Sequence, residues 1–238
     1  MKNNILNRLV DVLPRDLLVD LTDMGVTKAR EAHEIIRDHT TLYGKSARGA
    51  EGQIRFRIME QGFQESCEKY GGLLLEGGLV EGSDLRIFQP FMRFSGEEGD
   101  IGVVLGLASM PAKGEMPVKN MSRRAGVSLN YNLTPRLALD ESDPKPGDIF
   151  VLFLVARDPA KSGQIEEIAI GIIDSNYEDF LFYEAIEKFV ARYAPPTDIH
   201  DDDSDVVSEP LVKLKTKRSI YIPPESDNDD DEKQEDDI

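Results

Sequence analysis

The chain has 238 residues, with 45 Asp+Glu against 28 Lys+Arg and a formal net charge of −17, a sign that argues against broad nonspecific attraction to nucleic acid or anionic membrane. A single cysteine excludes an intrachain disulfide framework, three histidines leave no Cys/His zinc set, and neither glycine-rich nucleotide loop occurs. The longest apolar run, residues 149–156, is far short of the ~20 residues that span a bilayer, and a cytoplasmic protein without membrane contact is expected.

Residues 3–43 read as helical. Ile5, Leu9, Val12 and Leu13 follow a helical spacing that Pro14 stops. Leu17, Leu18 and Leu21 begin a second helix, expected to break near Met24 and Gly25. Thr27 then caps a third helix that reaches about His39. A break at 24–27 invites comparison with a helix–hairpin–helix or helix–turn–helix, but the second glycine of the former is replaced by Thr27. Glu31 stands where the latter wants an apolar residue. A helical pair packed on the rest of the protein is the plainer expectation.

Residues 44–50 read as a flexible basic link. The next helix runs from Glu51 to about Tyr70, with Ile54, Ile58, Phe63, Cys67 and Tyr70 on one stripe, Glu51–Arg55 and Glu65–Lys69 pairs, and Gly71-Gly72 as its stop. Cys67 falls on the buried stripe and reads as core filler. Beyond it the period drops from about 3.6 to about 2. Strands are expected over 73–75, 85–94, 101–110, 127–133, 148–157 and 164–174. Residues 149–156 are apolar on both faces, which suits a central strand; the short stretch 157–163 then makes a hairpin, and Pro90 marks an edge or a bend. Residues 180–193 read as a short strand running into a helix, or as one amphipathic helix.

This order predicts an α+β fold: N-terminal helices, one long helix, then a mainly antiparallel sheet of five to six strands with a closing helix. Three parts follow: a helical module at 1–43, an α+β body at 44–195, and a disordered acidic tail at 196–238. Residues 198–238 hold 15 acids and 5 bases, −10 of the total −17, too charged and too poor in large apolar residues to build a core. Within them lies a basic, apolar island at 211–224.

Charge is uneven in the body as well. Between 105 and 137 five bases face only Glu115, whereas 140–187 holds twelve acids and three bases. Lys113, Lys119, Arg123 and Arg124 on that basic stretch are candidates for phosphate contact. In the island, Lys213, Lys215, Lys217, Arg218 and Tyr221 are candidates for binding a partner, because the alternation of apolar and basic residues suits a strand added to a sheet edge. A protein partner is expected, with nucleic acid and a second copy of the chain as open alternatives.

A non-enzymatic interaction or regulatory protein, its charged tail engaging a partner or its own body, fits these features. The alternative is a Mg²⁺-dependent nuclease of restriction or phage-defence type, which would use Glu51, Asp84, Glu115 and Lys119. Clustered acids would hold the metal and the lysine would stabilise the attacked phosphate, although the Glu115–Lys119 spacing departs from the usual Asp/Glu-x-Lys. Outside that alternative neither a metal site nor a cofactor is expected.

Overall fold

Residues 2–75, 89–95, 102–133 and 147–193 are described by the computed structural model. The chain divides into two units, Met1–Thr197 and Asp198–Ile238, and the first contains every described residue.

Its centre is a six-stranded sheet in the order β1 (Leu73–Leu74), β2 (Phe91–Phe94), β3 (Val103–Met110), β4 (Ile149–Arg157), β5 (Ile165–Ile173), β6 (Phe180–Ala185). All neighbours are antiparallel except β3 and β4, which run side by side from Val103↔Ile149 to Met110↔Ala156. As the unbroken apolar run predicts, β4 is central and buried along eight of its nine residues. The 157–163 hairpin to β5 forms as expected.

Two helical layers enclose the sheet. Alternate strand residues point to opposite faces, and the odd-numbered ones of β3 and β4 (Val103, Leu105, Leu107, Val151, Phe153) meet α1 (Lys2–Val12), α2 (Arg15–His39), α3 (Gly44–Lys69) and α5 (Ile186–Val190) in one core. Val104, Ala108, Phe150, Leu152 and Leu154 form a second core with α4 (Met121–Ser128). The path from β3 to the start of β4 passes through α4, as a parallel pair requires a crossover.

Four expectations are corrected. The helix does not break at Met24 or Gly25. Leu18, Leu21, Gly25, Ala29, Ala32 and Ile36 keep one buried stripe through the whole of α2. Gly25 leaves room for Ile168, whose Cδ1 would lie 3.3 Å from an added Cβ. With no turn at 24–27, both the helix–hairpin–helix and the helix–turn–helix readings fall. Residues 44–50 are not a flexible link but the first two turns of α3, entered by Gly44 at φ 59°, a backbone that favours glycine.

Residues 127–133 are not a strand. They end α4 and continue into a 3-10 turn at Leu129–Leu133. Asn120 caps α4 by accepting from the Arg123 amide at 2.8 Å, and Gly126 lets the helix lie on the Phe150 ring, where a Cβ would be 2.4 Å away. The expected strand at 85–94 is shorter: β2 begins at Phe91, directly after Pro90, while 76–88 lie outside the described residues. Residues 180–193 take the first of the two forms read for them, a strand leading into a short helix.

Candidate anion-binding site

Two of the four basic residues singled out for phosphate contact meet across one cleft. The loop 111–120 leaves β3 and crosses the α4 side of the sheet, held by the Tyr177 hydroxyl, which donates to the Pro117 carbonyl at 3.1 Å. Arg123 is nearly buried and donates to the Val118 carbonyl, so its charge holds the loop from inside. Burial raises the Tyr177 phenol pKa, partly offset by the Arg123 charge beside it. Lys119 lies over the Tyr177 ring, 5.5 Å from its centre, and donates to the Asn176 carbonyl at 3.2 Å.

Lys119, Arg124, Ser128 and Asn176 then line an open cleft of about 440 Å³. Arg124 is exposed there and forms no ion pair among the described residues. Glu178 lines the same cleft and tempers its charge. Lys113 is elsewhere, paired at 3.2 Å with Glu167, a nearly buried acid that also accepts from the Tyr183 hydroxyl.

The four residues of the nuclease alternative are placed differently. Glu51 is buried within α3, with Oε2 3.2 Å from Nδ1 of His33 and Oε1 3.9 Å from an Arg55 nitrogen. Arg55 lines a cleft with Met110 and Arg157, which places Glu51 near the carboxyl ends of β3 and β4, on the face covered by α1, α2, α3 and α5. Lys119 is on the α4 face at the other end of β4, because Tyr177 follows Ile173 and Asn130 joins Ile173 to Phe150. Strand β4 has nine residues, and its eight steps of ~3.3 Å span roughly 26 Å. The structure does not bring Glu51 and Lys119 together. Glu115 is exposed on the loop, and Asp84 lies outside the described residues. Among the described residues no group of three His, Cys, Asp or Glu could hold a metal ion.

Cys67 is fully buried and free, and burial raises its thiol pKa strongly, as suits core filler rather than a nucleophile. The island residues Lys213, Lys215, Lys217, Arg218 and Tyr221 lie outside the described residues. No helix among the described residues is long and apolar enough to cross a membrane.

Arg55 and Arg157 stand on different elements and meet only through packing, so the sequence sets Arg55 beside Glu51 but does not join it to Arg157. A local signal existed in α3, where Arg48, Arg55 and Arg57 are interleaved with Gly49 and Gly52, but that stretch read partly as a link.

Comparison with protein-family models, with curated proteins and with solved structures finds no match.

Proposed function

We propose that this is a non-enzymatic interaction protein whose basic island, centred on Lys213, Lys215, Lys217, Arg218 and Tyr221, engages a protein partner, its own body being the competing target. The charge pattern carries the reading: four bases in a segment free of acid, set within flanks that hold 15 acids. Such a segment presents its positive charge locally while the flanks repel other anions. The folded unit supports binding over catalysis. Glu51 and His33 are paired with each other and Cys67 is buried, which leaves His39 as the exposed histidine among the described residues. The nuclease alternative gains nothing from the separation of Glu51 and Lys119. Phosphate-backbone binding at Lys119 and Arg124 is a lesser fit, since Glu178 shares their cleft.

The test compares the intact chain with its K213A/K215A/K217A/R218A variant, immobilised in equal amounts, with captured proteins quantified side by side. Loss of at least one partner from the variant is expected. Identical capture by both forms would remove the island from the function.

A further inference from the structure

The carboxyl ends of β3 and β4 form a second place where charge is left over. These are the parallel strands, and beyond them the chain departs in different directions: from β3 toward α4, from β4 into the hairpin to β5. Divergence of this kind opens a crevice at the strand ends, where open α/β sheets place their ligands. Here the crevice measures about 320 Å³ and is lined by Arg55, Ser109, Met110, Pro111 and Arg157.

Arg55 has a side chain only 14% exposed, yet its single ion pair among the described residues is the long 3.9 Å contact to Glu51. That carboxylate is shared with His33. Burial lowers the Arg55 pKa; Glu51 acts against this, and Arg157 is close enough to lower it further. A second guanidinium beside a poorly compensated buried one is costly unless an anion joins them. Arg157 itself forms no ion pair among the described residues.

The crevice opens onto a groove of about 970 Å³ along the first half of α3, where Arg55 and Arg157 recur beside Gly49, Gly52 and Phe56. Glycine weakens a helix interior relative to alanine, and a Cβ at either glycine would meet nothing within 4 Å. Packing inside the protein therefore does not require these glycines. Bare backbone on the groove floor with a half-buried Phe56 beside it suits a flat organic group lying close to the helix.

We infer that this cleft binds a small phosphate monoester, its oxygens held by Arg55 and Arg157 and its organic part lying in the α3 groove. Two guanidinium forks match a dianion with three terminal oxygens better than a single carboxylate. The site stands at the opposite end and face of the sheet from Lys119.

Calorimetric titration of the full chain with phenyl phosphate, inorganic phosphate and benzoate tests it. Phenyl phosphate is expected to bind more tightly than the other two, and Arg157→Ala to weaken it at least tenfold. Arg157 is exposed, so that variant should fold. Gly52→Leu is expected to weaken phenyl phosphate about tenfold while leaving inorganic phosphate unchanged, because it fills the groove and spares the arginines. Equal affinity of the parent and Arg157→Ala overturns the inference, as does benzoate binding as tightly as phenyl phosphate. Binding lost in Arg124→Glu but kept in Arg157→Ala would also overturn it by moving the phosphate to the Lys119 cleft, with the partner-binding role of the island untouched.

Discussion

Asp148 shows how one carboxylate ties three elements together. It stands just before β4 and accepts from Arg93 of β2 through two bonds, at 2.6 and 3.1 Å, and from the Gly102 amide, just before β3, at 2.7 Å. Arg8 of α1 closes the cluster by donating to the Gly102 and Gly147 carbonyls at 2.9 and 3.0 Å. Burial alone would raise the Asp148 pKa, but the bonds from Arg93 and Gly102 and the nearby Arg8 charge together hold it below the usual carboxylate range. A depressed acid contributes stability above its unfolded pKa of ~3.9, and that contribution is lost as pH falls through the lower folded value. Asp148→Asn is therefore expected to cost about 2 kcal/mol at pH 7, from weakened charge-assisted bonds. The cost should shrink as pH falls below about 4, where the unfolded parent takes up a proton first and the folded parent loses its charge only at the lower folded value. Urea unfolding at pH 7 and at pH 3 measures both; a difference that does not change with pH would assign the effect to packing instead.

Between elements, α4 is the part least visible in the sequence, and Asn130 shows why. Alternation over 127–133 predicts a strand, yet these residues follow a capped helix and turn Asn130 into a fully buried clamp on the sheet. Its amide donates to the Phe150 and Ile173 carbonyls, both at 2.9 Å, and its carbonyl oxygen accepts from the Phe150 amide at 2.8 Å. Asn130→Ala would leave these buried backbone groups without that partner, at a cost of about 3 kcal/mol or more. Asn130→Asp should be as harmful, since the carboxylate cannot donate to either carbonyl. Thermal unfolding checks both; a variant within 1 °C of the parent would mean that water replaces the side chain. What the sequence did reveal was the local part. Strand β4 was legible from its unbroken apolar run, β5 from the short connection to it, and Cys67 from the α3 stripe. Continuity of α2 through Gly25 depends on Ile168 of a distant strand, and the parallel β3–β4 pairing is not encoded in either strand's own pattern. The clefts follow the same division. Lys119 and Arg124 are five residues apart and were found together, whereas Arg55 and Arg157 are neighbours only once α3 lies on the sheet.

At the scale of the molecule, the first 43 residues read from sequence as a module, yet their apolar stripe ends in the core of the sheet. Leu9, Leu13, Leu17, Leu18 and Leu21 are fully buried in the cluster that contains Val103, Val151 and Phe153. Polar ties reinforce this: the Tyr193 hydroxyl donates to the Leu13 carbonyl at 2.6 Å, and Lys69 pairs with Asp20 at 2.6 Å. A helical pair with its whole apolar face committed elsewhere gains little stability from its own contacts. Removing it would also expose part of the β3 and β4 face that α3 and α5 do not cover. Both sides therefore depend on the same contacts, and the described helices and sheet should unfold in a single cooperative transition. Far-UV dichroism, dominated by helix, and near-UV dichroism, from the tyrosines, should then give coincident midpoints on heating. Leu17→Ala should lower the two together, at the stability cost of ~2–5 kcal/mol typical of a buried leucine. An earlier far-UV transition that leaves the near-UV signal intact would instead show that residues 1–43 melt on their own, and the sheet would have to be stable with that face only partly covered.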